Sequence, residues 1–184
     1  MAAKYIKRSL EPVLKRAAEE FPAAVLTGPR QSGKTTLLKH LFNTKFHYVS
    51  MEPPDIRAAA MEDPRGFLEM HPPPVIFDEV QYVPEILPYI KEKIDHHRDI
   101  PGQYLLTGSQ NILLMEKVTE TLAARSAQLL EVKLSSTPRP AMASSIKTFQ
   151  KDFDDRALPG YVVHPGEGKL PLGSGVTAWP YSQL

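Results

Sequence analysis

The residues best suited to chemistry lie early in the chain. Gly28, Pro29, Arg30, Gln31, Ser32, Gly33, Lys34 and Thr35, with Thr36 directly after, spell G-x-x-x-x-G-K-[ST]. Glycines at the two ends let a loop turn so that successive backbone N–H groups converge on phosphate oxygens, and a helix starting near Gly33 adds the positive end of its dipole. Lys34 is the residue to neutralise β- and γ-phosphate charge, and the Thr35 hydroxyl is the candidate ligand for Mg²⁺. The competing reading is a glycine-containing turn with a solvated lysine. A strand before the motif and a helix after it would decide for the phosphate loop.

A phosphate loop needs a carboxylate to complete it, and "PVIFDEVQ" at 74–81 offers two. Three apolar residues run into Asp78 and Glu79, which places the pair at the carboxyl edge of a buried strand, where open α/β sheets bind ligands. Asp78 is the candidate to hold Mg²⁺, largely through water. Glu79 is the candidate to polarise an attacking water. Taken alone, such a pair could equally cap a following helix.

Stepping from these side chains to the elements that must carry them, short runs rich in Val, Ile and Phe alternate with stretches of helical period. Strands are expected at 23–27, 46–50, 75–77, 103–107 and 128–134, and helices at 34–42, 55–70 with a break near Pro64, 84–97 and 111–124. The N-terminal "MAAKYIKRSLEPVLKRAAEEF" reads as a further helix packing Ile6, Leu10, Leu14 and Phe21, and its glutamates argue against a transit peptide. The expectation is a three-layer α/β fold around a five-stranded parallel sheet over residues 1–135. "SSTPRPAMASS" then reads as a junction over 136–145, and the Gly- and Pro-dense stretch 146–184 as a segment unable to form a core alone.

Composition sets the outer limits. The chain has 184 residues, with 22 Lys and Arg against 21 Asp and Glu, so no net field steers it onto nucleic acid or an anionic membrane. Without cysteine, disulfides, thiolate catalysis and Cys-based zinc sites are excluded. No apolar run approaches the length of a membrane helix, and a cytoplasmic protein is expected. His47, His71, His96 and His97 lack the spacing of paired metal ligands and read as solvated or packing residues. "HPPP" at 71–74 reads as a rigid lead-in to the third strand.

A whole strand-and-helix unit separates the phosphate loop from "VIFDE", and the glutamate directly follows the aspartate. This order resembles the additional-strand, catalytic-glutamate division of P-loop ATPases, which contains the AAA+ proteins. A guanine-reading N-K-x-D is absent from the sequence. More narrowly, "GPRQSGKTT", "DEVQ" and "LTGSQN" resemble a prokaryotic AAA+-like ATPase family whose members usually carry a large C-terminal domain of uncharacterised function. The resemblance implies an ATP-binding, Mg²⁺-dependent, ATP-hydrolysing protein, with ATP and ADP as ligands, a protein or DNA target left open, and a homo-oligomer left open. It places Ser109 at a polar position that senses the γ-phosphate or attacking water, where a helix-capping role is the alternative. It places Arg125, in "ETLAARSAQL", where an arginine can meet phosphate charge in cis or from a neighbouring copy. Ala124 stands where the family usually has glycine, and a plain surface arginine is the other reading. Members are roughly twice as long, so the resemblance also implies an internally deleted member, with 146–184 as a remnant of the second domain. That domain is thought to be nuclease-like in the family, but no supporting carboxylate–lysine pattern occurs here. A nucleotide-binding module with little hydrolysis and a DNA-associated accessory ATPase are the alternative functions.

Overall fold

The computed structural model describes residues 5, 7–8, 10–109, 127–132, 135–151, 159–180 and 182. The strands are β1 Ala23–Thr27, β2 His47–Ser50, β3 Val75–Asp78, β4 Tyr104–Gly108, β5 Ala127–Val132, β6 Gly160–His164, β7 Leu170–Gly173 and β8 Val176–Pro180. The helices are α1 Glu11–Glu20, α2 Lys34–Phe42, α3 Pro54–Glu62, α4 Pro64–Met70, α5 Leu87–His96 and α6 Ser144–Lys151. The expected helix at 111–124 lies outside the described residues.

Among the described residues, all strands belong to one eight-stranded sheet in the order β2-β3-β4-β1-β5-β6-β8-β7. Every neighbouring pair is parallel except β7 with β8. The expected five-stranded sheet is therefore corrected to eight strands, because the Gly- and Pro-rich stretch supplies β6, β7 and β8. Its lack of a repeating apolar pattern hid them. The strands are short, and Gly173 (φ 128°) and Gly175 (φ 69°) make the tight turn that joins β7 to β8. The junction is not a plain linker either: a 3-10 turn, Pro140–Ala143, leads straight into α6 and buries Ala143.

Side-chain alternation along the strands divides the interior into two cores, one on each face of the sheet. Ala24 and Leu26 of β1, Ile76 of β3, Leu105 of β4 and Val163 of β6 meet Leu10, Leu14 and Ala17 of the α1 region and Leu37, Leu38 and Phe42 of α2. Ala23 and Val25, Val75 and Phe77, Tyr104 and Leu106, and Val162 face the other way. They meet Ala60, Phe67, Leu68, Leu87, Ile90 and Ile94, together with Ile146 of α6. The result is three layers, helices on sheet on helices.

Local sequence explains the helix boundaries. Pro12 stands in the first turn of α1, where its missing N–H costs nothing, and Glu11 complements the helix dipole. The break near Pro64 is a double cap: Asp63 ends α3, and its side chain accepts the Gly66 N–H at 3.0 Å to start α4. Among the described residues no helix is long and apolar enough to cross a membrane.

Candidate functional site

β1 is buried along its whole length and delivers the chain to Gly28, whose N–H is held by Gly108 O at 3.3 Å. The loop then makes two left-handed turns, at Gln31 (φ 60°) and Gly33 (φ 77°), before α2 begins at Lys34. Position 33 favours glycine through its backbone, and the loop packs closely on Arg8 there. A side chain strains at that φ, and a Cβ there would lie 2.3 Å from Arg8 Nη2, a clash the flexible guanidinium would have to swing away to relieve. Arg8, ahead of α1, also donates from Nη1 to Ser32 O at 2.6 Å, so the N-terminal segment clasps the loop from outside. Tyr5 stacks on His40 of α2 with ring centroids 3.5 Å apart and secures the same segment.

Lys34 is buried, and its ammonium donates to Gly28 O at 3.0 Å and Pro29 O at 2.9 Å. Burial pushes it below the ordinary lysine value, opposed by the nearby charges of Glu79 and Asp78. Ser32 Oγ is buried without a hydrogen-bond partner, an orphan hydroxyl that a phosphate oxygen would satisfy. Pro29 is half-buried, whereas Arg30, Gln31 and Thr36 are exposed at the rim.

Asp78 ends β3 and is buried beneath the loop. Its carboxylate collects three hydroxyls: Thr35 Oγ1 and Tyr48 OH donate to Oδ2, each at 2.7 Å, and Thr107 Oγ1 donates to Oδ1. Burial, then the bond to Asp78, pushes the Tyr48 phenol above its usual range and keeps it a donor. Thr35 and Asp78 are thus brought together as the sequence reading expects. An oxygen set of one hydroxyl and one carboxylate suits Mg²⁺, which takes few protein ligands and completes its octahedron with water and phosphate. Among the described residues no group of three or more His, Asp or Glu could hold a metal ion unaided.

Glu79 follows in the left-handed region, φ 60° and ψ 44°, where a residue with a side chain is uncommon. Its backbone N–H is held by Thr107 Oγ1 at 3.1 Å, and the Val80–Tyr82 turn pins it from the other side with Val80 and Val83 fully buried. Strained backbone of this kind persists only where surroundings enforce it, and it concentrates at functional sites. Gln81 Nε2 donates to Glu79 Oε2, while Gln81 Oε1 accepts the Ser109 N–H at 3.1 Å. Ser109 stands directly past β4, so all the described candidates converge on the carboxyl edge of the sheet. Arg125 lies outside the described residues.

Arg8, Tyr48, Thr107 and Gln81 hold the site although sequence reasoning assigned them no role. Thr107 and Gln81 lie inside quoted motifs, "LTGSQN" and "DEVQ", and could have been found there. Tyr48 could have been found by pairing its strand beside "VIFDE". For Arg8 no local signal exists, since it reaches the loop only through the docking of α1.

A family model described as an AAA domain matches residues 20–136. Uncharacterised proteins of Mycobacterium bovis and Mycobacterium tuberculosis are each 29% identical over 126 residues, a stretch covering 68% of this chain and 28% of either relative. The chain thus spans well under half the length of those curated relatives. Among solved structures, the crystal structure of FlhF complexed with GMPPNP/Mg(2+) aligns at TM-score 0.34 and 16% identity, covering 84% of this chain and 63% of that one.

Proposed function

From the premise that this chain belongs to the AAA domain family, a family of nucleotide-binding P-loop proteins, we propose that it binds ATP with Mg²⁺ and hydrolyses the γ-phosphate. The observation that carries the reading is the 2.7 Å pairing of Thr35 Oγ1 with the buried Asp78 carboxylate beneath the phosphate loop. Thr35 and Asp78 would hold the cation, which when bound neutralises charge on the β- and γ-phosphates. Lys34 would leave the carbonyls of Gly28 and Pro29 for the phosphates, and the backbone of 29–34 with Ser32 Oγ would cradle the oxygens. Glu79 would take a proton from the attacking water. ATP rather than GTP is favoured by the absence of N-K-x-D.

The test is calorimetry of the purified chain with ATP, ADP and GTP, with and without Mg²⁺, alongside phosphate release. Lys34→Ala should abolish measurable ATP binding, because the loop then lacks its one buried cation. Unchanged ATP affinity in that variant would remove the site assignment.

A further inference from the structure

Gln81 is placed as a two-handed link. β3 leaves the sheet through the left-handed Glu79 and enters the Val80–Tyr82 turn. Val80 and Val83 are both fully buried and fix how that turn sits on the core. Gln81, between them and only partly buried, reaches back to the site. Its amide cannot flip freely, because the Ser109 N–H at 3.1 Å can be met only by the carbonyl oxygen Oε1. The NH₂ group is then committed to Glu79 Oε2. The end of β4 therefore grips the general-base candidate twice, through Thr107 Oγ1 on its backbone N–H and through Gln81 on its carboxylate.

We propose that Gln81 is a positioning residue that couples the Glu79 carboxylate to Ser109 at the end of β4, so that the placement of the base follows the state of the strand end beside the γ-phosphate. The inference rests on the ATPase reading above and on Glu79 as its base. A carboxylate on a partly exposed side chain with a left-handed backbone has many rotamers open to it. A donor committed by geometry removes most of them. Because the side-chain hydrogen bonds of Gln81 go to Glu79 and Ser109 and not to the candidate cation ligands Thr35 and Asp78, its effect falls on turnover and not on nucleotide binding.

The experiment compares Gln81→Met, which keeps length and volume without polar atoms, and Gln81→Glu, which keeps an acceptor for Ser109 but offers Glu79 no donor. Each is made alone and combined with Glu79→Gln. Both single variants should lower kcat by about ten- to hundred-fold, the scale of a misplaced reacting group, with ATP affinity held within about twofold. In the Glu79→Gln background neither should cost more than about twofold further, because residues acting as a unit are non-additive. Wild-type turnover in both singles, or the same loss repeated in the Glu79→Gln background, overturns the inference while leaving the ATPase reading standing. Turnover indifferent to Glu79→Gln removes Glu79 as the base and with it this inference, while ATP hydrolysis itself still stands. Hydrogen exchange at the Ser109 amide reads the bridge without turnover: it should quicken in Gln81→Met and stay slow in Gln81→Glu. Unchanged exchange in Gln81→Met overturns the link.

Discussion

Replacing Glu79 by glutamine separates chemistry from fold at this site. Glutamine keeps the shape and an oxygen for Gln81 to donate to, but cannot accept the water's proton. A lost general base typically costs a hundred- to ten-thousand-fold, which at about 1.36 kcal/mol per tenfold is a barrier increase of about 2.7–5.4 kcal/mol. The fold should barely respond. The left-handed backbone at φ 60° is equally unfavourable for either side chain and cancels. The Gln81 bond changes from one with a charged acceptor to one with a neutral acceptor, a difference of about 1 kcal/mol. In a chain of 184 residues that lowers the melting midpoint by only about 2–4 °C. Nucleotide affinity should hold, since Lys34, Thr35 and Asp78 are untouched. Steady-state phosphate release at saturating ATP and Mg²⁺, with calorimetry and thermal melts on the same preparations, is the assay. Turnover within twofold of wild type would refute the reasoning and leave Glu79 as a turn residue. Glu79→Gly is the companion: it should lose turnover equally while removing the left-handed cost of about 1–2 kcal/mol, offset in part by the added freedom of the unfolded chain.

Two further expectations concern stability. Ile146 of α6 is fully buried in the same core as Val25 and Phe77, so Ile146→Ala should cost about 2–5 kcal/mol and lower one shared transition; Trp179 fluorescence and far-ultraviolet dichroism melting at different temperatures would contradict it. His71 Nδ1 lies 3.3 Å from His47 Nε2, with the two rings near-parallel and their centroids 5.3 Å apart, and burial, then that neighbour, holds the His71 imidazole below the ordinary histidine value. The unfolded chain therefore binds more protons just below that value, so stability should fall as pH drops from about 7 to 5 and the slope should shrink in His47→Gln; equal pH slopes for the two proteins in urea melts would contradict the pairing.

The local parts of the site were legible because their signals are local. The phosphate loop is spelled in consecutive residues, and both α2 and β1 fall at the bounds their periodicity predicts. Asp78 was findable because it ends an apolar run. Contacts that depend on strand order were not. Tyr48 reaches Asp78 because β2 lies beside β3, and Thr107 reaches it because β4 inserts between β3 and β1, neither of which is written in either segment. The 160–180 region was the largest miss for a related reason. Val162 and Val163 are buried on opposite faces of the sheet, so the strand shows no polar alternation. Its prolines and glycines read as breakers, although Gly160 and Pro180 stand at strand ends, Gly173 and Gly175 make the hairpin turn, and Pro171 sits within the edge strand β7. His47 and His71 meet across the start of β2 and the end of α4, a pairing that spacing alone could not suggest.

The antiparallel β7 gives the sheet a finished margin. An open row of unpaired backbone groups invites a second molecule to add its own strand, and natural proteins blunt such rows with proline, lysine and local irregularity. β7 has these features within a few residues: Pro171 lacks a donor, the pairing with β8 shifts between Pro171 and Gly173, and Lys169 stands just before it with its ammonium 3.6 Å from the Trp179 ring centroid. The opposite margin, β2, is only four residues long. Growth of the sheet from molecule to molecule is thereby discouraged at both ends.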